Sequence, residues 1–210
     1  MSPLSQSLAL ARIVLRFGAI QRATHDEQGQ PESDTTHTIM LALLAASLAP
    51  LEAVPLDMER VLRFALVHDL VETYAGDTNT TRALSFAERK EKKRRELIAY
   101  GRLCDELGFY ADDGQFRWIP QWIELYEKQG APEARFVRYL DKLLPKLTHL
   151  LNSGSALRVQ GITRAEMGER HVSQAAEMST MYPEFTYLHE LYAAGIAACA
   201  APGALRLEGE

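Results

Sequence analysis

Cysteine is scarce in this 210-residue sequence: there are two, Cys104 and Cys199, and they lie far apart. The sequence has no Cys-x-x-Cys pair and no set of closely spaced cysteines, which excludes a small fold stabilised by several disulfides. This scarcity fits a reducing compartment, so we expect a cytoplasmic protein.

Long apolar runs are also lacking. The most apolar stretch, residues 39–56, is interrupted by a serine, a glutamate and two prolines, so it is too short and too broken to span a bilayer. Near the N-terminus, Arg12 and Arg16 interrupt the apolar run and no cleavage signature follows. We therefore expect neither a signal peptide nor a membrane-spanning segment.

An excess of positive charge is missing as well. The 23 basic and 28 acidic residues leave a net charge of −5, whereas proteins that coat nucleic acid are usually basic. Nucleic acid is therefore not the expected partner. A small anionic ligand stays open, because a metal ion or an arginine cluster can invert the field of a single pocket.

Strand signals are weak, because period-2 patterns are hard to find and no Asn-Gly or Asp-Gly turn joins two apolar runs. Helix formers are abundant, and 47% of the residues are hydrophobic, which is enough for one sizeable core. We predict an all-α fold with a single domain over residues 1–210. Its main part covers about residues 16–150, and further helices cover 163–200.

The predicted helices can be placed along the chain. They cover residues 5–22, 36–50 (capped by Asp34 or Thr35), 58–74, 86–107, a segment around Pro120, a helix that starts at Pro132, and 163–181 and 182–200. Pro145 should kink or shorten the helix that contains it. Residues 24–36 are predicted to form a polar loop, and the tail from Pro202 is predicted to be loose.

The most informative stretch is residues 62–77, "LRFALVHDLVETYAGD". In a helix, His68 and Glu72 share one face, and Asp69 lies about 100° round from His68. Asp77, just after the helix end, can fold back over the same point. A divalent cation is the simplest compensation for this charge, and imidazole plus carboxylate without thiolate favours Mn, Fe, Co, Ni or Zn. The alternative is a hydrogen-bonded core histidine at position 68.

Two further residues have two interpretations each. His37 opens the second predicted helix, before an apolar face, and is either a residue of the cap region or a second ligand from a neighbouring helix. Asp141 is a lone carboxylate in the apolar-rich segment "RFVRYLDKLLPKL". It is either paired with Arg138 or Lys142, or a further ligand.

The order His, His-Asp and a distant Asp resembles the HD-domain metal-dependent phosphohydrolase superfamily. The segments "PES…H", "ALVHDLVE…GD", "KKRRE" and "DKL" are most similar to the branch that contains bacterial 5′-deoxynucleotidases and their eukaryotic relatives. This resemblance covers roughly residues 16–150. It implies a compact helical bundle, often dimeric, with one divalent metal held by His37, His68, Asp69 and Asp141.

The resemblance also implies roles for other residues. By this resemblance, Glu72 would act as general acid/base or position the water. Asp77 would hold a substrate hydroxyl or help in proton transfer. Arg16 followed by Phe17 matches an Arg-aromatic pair that contacts phosphate and base. Arg22 is a rival for the same role.

The loop "TNTTRALS" departs from the bacterial branch, which carries a Pro-rich segment and a lysine at this point. Arg82 is the candidate replacement for that lysine. His149 and His171 lie in predicted helices and are expected to be surface or hydrogen-bonded residues.

The expected function is hydrolysis of deoxyribonucleoside 5′-monophosphates to nucleoside and phosphate by metal-activated water. We expect a nucleotide substrate and a homodimer, without nucleic acid or membrane as partner. One alternative is a deoxynucleoside triphosphate triphosphohydrolase, which requires Arg82, Lys142 and Lys146 to converge. Another is a non-catalytic binding module of the HD fold. No Gly-x-Ser-x-Gly and no Gly-x-x-x-x-Gly-Lys is present, which disfavours a serine nucleophile and ATP-driven work.

Overall fold

A computed structural model describes residues 2–110 and 114–207 of the chain. Within these residues the fold is an α-helical bundle with one small hairpin, which confirms the predicted all-α class. The elements are α1 (Pro3–Phe17), β1 (Gln21–His25), β2 (Pro31–Ser33), α2 (Asp34–Leu48), α3 (Met58–Val67), α4 (Glu72–Ala75), α5 (Phe86–Glu106), α6 (Trp118–Lys128), α7 (Pro132–Leu151), α8 (Ser155–Val159), α9 (Arg164–Met181) and α10 (Thr186–Ala200).

Helix α7 is the centre of the bundle. It packs against α2, α3 and α10. The main core forms around its buried side chains, among them Tyr139 and Leu143, together with Leu41 of α2 and Phe64 of α3. Helix α7 continues through Pro145 as far as Leu151, so the proline does not shorten it. Helix α7 therefore holds Asp141 in the middle of the bundle.

The polar loop predicted over residues 24–36 is wrong, because most of this segment forms a hairpin and the first turn of α2. Strands β1 and β2 pair antiparallel, with Gln21 opposite Ser33. Asp26 organises the turn by accepting hydrogen bonds from the backbone N–H groups of Gln28 and Gln30, at 2.9 and 2.8 Å. The strands are short and polar, so they lack the apolar alternation that identifies a strand in a sequence. The hairpin carries Arg22 towards the bundle.

The single helix predicted over residues 58–74 is interrupted. Helix α3 ends at Val67 and α4 begins at Glu72. Between them the backbone tightens into i→i+3 hydrogen bonds, such as that from the Glu72 N–H to the Asp69 carbonyl at 2.8 Å. The His-Asp pair therefore lies in a tight turn at the end of α3 and not in the middle of a helix.

The tail prediction is also wrong for the residues that the structure describes. Leu205 and Leu207 are buried, and they pack against Leu157 and Ile162 near α8. Residues 208–210 of the predicted tail lie outside the described residues. In the described parts of the chain, we find no helix with the length and apolar character that crossing a membrane requires.

Candidate metal centre

Four side chains from three parts of the chain converge at the centre of the bundle. One nitrogen or oxygen from each lies within 4.8 Å of the corresponding atoms of all the others. The Nε2 atom of His37 is 3.1 Å from Oδ1 of Asp141, and Nε2 of His68 is 2.9 Å from Oδ2 of Asp69. Two imidazoles and two carboxylates at this spacing are compatible with a divalent metal site. These are the four residues that the sequence resemblance implied.

The orientation of His68 fits a metal ligand. Its Nδ1 lies 2.9 Å from the carbonyl oxygen of Ala65, so Nδ1 carries the proton and donates it, and the lone pair of Nε2 faces the cluster. That Nε2 is buried and makes no hydrogen bond of normal geometry, although Oδ2 of Asp69 lies only 2.9 Å away. A buried nitrogen without such a hydrogen bond, next to two carboxylates, is the environment that a cation satisfies.

The electrostatics of His37 reflect the carboxylates around it. Burial alone lowers the pKa of this imidazole, but the interactions with Asp141 and with Glu32, whose Oε1 lies 3.6 Å from Nδ1, raise it to about 9. His37 is therefore protonated at neutral pH while the cluster holds no cation. A ligand histidine is neutral, so a metal that binds here would displace this proton.

Arg22 is a positively charged side chain that contacts several carboxylates of the site. Its Nη1 donates to Asp34 and to Asp69, each at 2.9 Å, and lies 3.7 Å from Oε2 of Glu72. Burial lowers the pKa of the guanidinium, but the surrounding carboxylates, Asp77 among them, raise it above its ordinary value. Asp34 is fully buried, and burial raises its pKa to about 6 in spite of Arg22.

Glu72 begins α4 and is 5% exposed. Burial, followed by the charges of Asp69, Asp77 and Asp34, raises the pKa of Glu72 to about 10, and Arg22 offsets only part of this. Its Oε2 is buried without a hydrogen-bond partner. A cation at the cluster acts in the opposite direction and favours the carboxylate. Glu72 can therefore hold or release a proton beside the candidate ligands.

Two cavities reach the cluster. The first, of about 110 Å³, lies between β1, the loop after α4, and helices α7 and α9, and one end of it is lined by Arg22, Asp77 and Asp141. The second, of about 700 Å³, is lined by Glu72, by the His-Asp pair and by side chains of α5 and α6. Small molecules can therefore approach the cluster from two sides.

Three residues that the resemblance implied as substrate contacts lie away from the two cavities. Arg16 donates to the Tyr74 hydroxyl at 2.8 Å, and Phe17 is 3% exposed in the core. Arg82 donates to the carbonyl oxygen of Gly161 at 3.3 Å. The described linings of the two cavities include none of these three residues.

Some residues of the site were not expected from the sequence. Asp34 was predicted as a cap, but the cap of α2 is Ser33, whose hydroxyl accepts from the Thr36 N–H at 3.2 Å, and Asp34 instead holds Arg22. His149 and His171 are buried and line the first cavity. A sequence signal existed for His171, because Met167 and Met178 lie at helical spacing from it and share its buried face.

The geometry agrees with comparisons to known proteins. A sequence profile described as HD domain matches residues 15–182. The chain belongs to the HD domain family. The similar curated proteins include the 5′-deoxynucleotidase HDDC2 of Danio rerio, 32% identical over 114 residues, which cover 54% of this chain and 52% of that protein. The human protein of the same name is 32% identical over 113 residues, which cover 54% of this chain and 50% of that protein. The HD chain thus spans about half the length of the curated relatives it matches.

A solved structure extends the likeness of this HD domain to nearly the whole chain. It is the crystal structure of a protein described as a predicted metal-dependent phosphohydrolase from Magnetospirillum magnetotacticum. The TM-score is 0.75 and the sequence identity is 25%, and the alignment covers 98% of each chain.

Proposed function

We propose that this protein is a metal-dependent phosphohydrolase that releases phosphate from deoxyribonucleoside 5′-monophosphates. The observation that carries the proposal is the convergence of His37, His68, Asp69 and Asp141 beside Arg22 and Glu72. The names of the curated relatives and of the solved structure support the same reaction class.

The four converging side chains would hold one divalent metal, either Mn, Co, Fe, Ni or Zn. Such a metal lowers the pKa of water and neutralises phosphoryl oxygens when it is bound. Arg22 lines the first cavity and lies against Asp69, so its guanidinium is positioned to donate to the phosphoryl oxygens and to stabilise the charge that develops on them.

Glu72 and Asp77 complete the proposed mechanism. Water attacks phosphorus, the bond from phosphorus to the 5′-oxygen breaks, and the proton lost by the water must reach that leaving oxygen. With a metal at the cluster, Glu72 would be a carboxylate, and it can then take up this proton and return it, because burial and its acidic neighbours make the protonated carboxyl accessible. Asp77 lines the same cavity as Arg22 and is the candidate acceptor for a hydroxyl of the sugar.

Product analysis tests the proposal. Metal-stripped protein, with and without Mn²⁺ or Co²⁺, is given a pool of nucleoside mono- and triphosphates, and the products are separated by anion-exchange chromatography. We expect metal-dependent loss of deoxynucleoside monophosphates and release of free nucleoside. Glu72→Gln should lose this activity, whereas the exposed control Glu59→Gln should keep it. Retained turnover in Glu72→Gln contradicts the role of Glu72, and the absence of turnover with both metals contradicts the proposal.

A triphosphohydrolase is the second candidate. Lys142 and Lys146 line the same cavity as Arg22, as this reaction requires, but the described lining of that cavity does not include Arg82. Release of tripolyphosphate in the same assay would favour it. For a non-catalytic binding module we find no favouring observation, because all four candidate ligands are present.

We also propose a cytoplasmic homodimer. Helix α1 exposes Leu4, Leu8 and Leu15, and α2 exposes Leu43. These apolar side chains are candidates for a dimer surface. Light scattering coupled to size-exclusion chromatography tests the dimer, and a monomer at micromolar concentration would contradict it.

A further inference from the structure

The first cavity has an end that the proposed mechanism does not use. It lies between α7 and α9, beyond Lys142. We call the side chains there the α7–α9 wall, which consists of Lys146, His149, Arg170, His171 and Gln174. The whole cavity, of about 110 Å³, is several times larger than the roughly 10–15 Å³ that one water molecule needs.

Lys146 carries a buried amino group with neutral hydrogen-bond partners. It is 4% exposed. Its Nζ donates to Oε1 of Gln174 at 2.9 Å and to the carbonyl oxygen of Lys142 at 3.3 Å, and it lies 4.3 Å from the centre of the Tyr192 ring. Among the described residues, no carboxylate forms a salt bridge with Lys146. A buried ammonium without a counter-charge is costly, so the site favours an anion.

The other members of the wall add donors of the same sign. Arg170 donates to the carbonyl oxygen of Thr80, which is again a neutral partner. Lys142, at the boundary of the wall, is already paired with Asp141 at 2.8 Å. The wall therefore combines an ammonium and a guanidinium, and none of its five members is a carboxylate.

The two histidines point to a ligand as well. His149 is 7% exposed, and its Nδ1 is buried without a hydrogen-bond partner. His171 is 4% exposed and lines the same cavity. Burial, and then the nearby charge of Lys146, lowers the pKa of each histidine to about 4, so both are neutral near pH 7. A neutral imidazole can donate one N–H to an anion.

We propose that the α7–α9 wall is a second anion subsite, which receives a phosphate group in the cavity that leads to the candidate metal centre. The group is either a further phosphate of a nucleotide bound at that centre or free inorganic phosphate. The first source rests on the proposed function, and the second does not. In both cases Lys146 and Arg170 supply the charge, and His149 supplies a hydrogen-bond donor or acceptor.

Binding to the metal-free protein tests the subsite without any hydrolysis. The full chain is stripped with a chelator and titrated calorimetrically with inorganic phosphate and with tripolyphosphate at low ionic strength. We expect binding by the wild type, at least a tenfold weaker affinity in Lys146→Met, and unchanged affinity in the matched surface control Lys90→Met. Arg170→Gln is the second variant, because Arg170 is only half-buried and its replacement leaves the core intact. No phosphate binding by the wild type, or phosphate affinity in both wall variants equal to that of the wild type, overturns the proposal.

Kinetics of the metal-loaded enzyme distinguish the two sources. If a second phosphate of the substrate occupies the wall, Lys146→Met should lower kcat/KM at least tenfold more for a deoxynucleoside triphosphate than for the monophosphate. If free phosphate occupies the wall, the variant should instead weaken inhibition by phosphate at least tenfold without changing that ratio. Phosphate binding without any monophosphate hydrolysis would contradict the proposed function and keep the subsite. Hydrolysis without wall-dependent binding would contradict the subsite alone.

Discussion

Replacing Lys146 by methionine should stabilise the protein, which is unusual for a change in a bundle core. Burial, followed by the charges of Arg170 and Lys142, lowers the pKa of Lys146 from 10.5 to about 7. At 1.36 kcal/mol per pH unit, this corresponds to at most about 5 kcal/mol against the charged folded state. Methionine has a similar volume and no charge. Replacements of buried charge by apolar residues of similar size stabilise by about 1–4 kcal/mol.

The pH dependence of this effect has a definite sign. Between pH 7 and 10.5, the unfolded chain holds a proton on Lys146 that the folded chain does not hold, so this group makes the free energy of unfolding rise with pH. Below pH 7 both states hold the proton, and the folded state carries the full penalty. Lys146→Met should therefore exceed the wild type in stability most at pH 6, and the difference should shrink towards pH 9.

Urea denaturation followed by circular dichroism, at pH 6 and pH 9, measures this difference. Lys90→Met, an exposed lysine of α5, is the control and should change the free energy of unfolding by less than about 0.5 kcal/mol. Added phosphate should stabilise the wild type more than Lys146→Met, because a ligand that binds only the folded state raises its stability. Two results would refute the view that the Lys146 ammonium lacks a counter-charge. One is a Lys146→Met protein that is less stable than the wild type at pH 6, and the other is a stability gain of Lys146→Met over the wild type that grows with pH.

Three further substitutions test the site and the core. Asp69→Ala should abolish metal binding, measured as metal content after dialysis, and leave helical content nearly unchanged; bound metal in this variant would contradict the ligand assignment. Arg22→Gln should lower kcat/KM about 10²–10³-fold, as the loss of a phosphoryl donor does, and an unaffected kcat/KM would return the role to Arg16. Phe17→Ala should lower the free energy of unfolding by about 3–5 kcal/mol in chemical denaturation, because the ring is 3% exposed in the core. A raised KM with unchanged stability would instead make Phe17 a substrate contact.

Local patterns predicted most of the helices correctly. Helix α5 begins at Phe86 as expected, because Ser85 and Glu88 form a capping box whose residue types and spacing are visible in the sequence. Helix α7 begins at Pro132, where the proline sits at the first turn. Signals of this kind depend on neighbours within one turn, so a sequence alone carries them.

His68 and Asp69 were identified by their spacing, and His37 and Asp141 by resemblance, whereas the surroundings of these four residues were not predicted. The apolar pattern predicts one continuous helix through His68. In the structure, α3 ends at Val67 and α4 begins at Glu72, and a tight turn lies between them. The tail up to Leu207 is ordered because its leucines find partners near α8. Neither outcome is encoded within a few residues of the segment concerned.

By itself, the sequence determined the helical class and the ends of several helices, because both depend on short-range spacing. Spacing also marked His68 and Asp69 as candidate ligands, whereas His37 and Asp141 became candidates only through the family resemblance. Only the tertiary structure decided that Arg22, and not Arg16, contacts the carboxylates of the candidate metal centre. It also decided that Lys146 is buried without a carboxylate partner. Arg22 and Asp69 are 47 residues apart in the chain. Whether two such charges meet depends on how the hairpin packs against α3 and α7, and a Coulomb interaction at 2.9 Å exists only once that packing has formed.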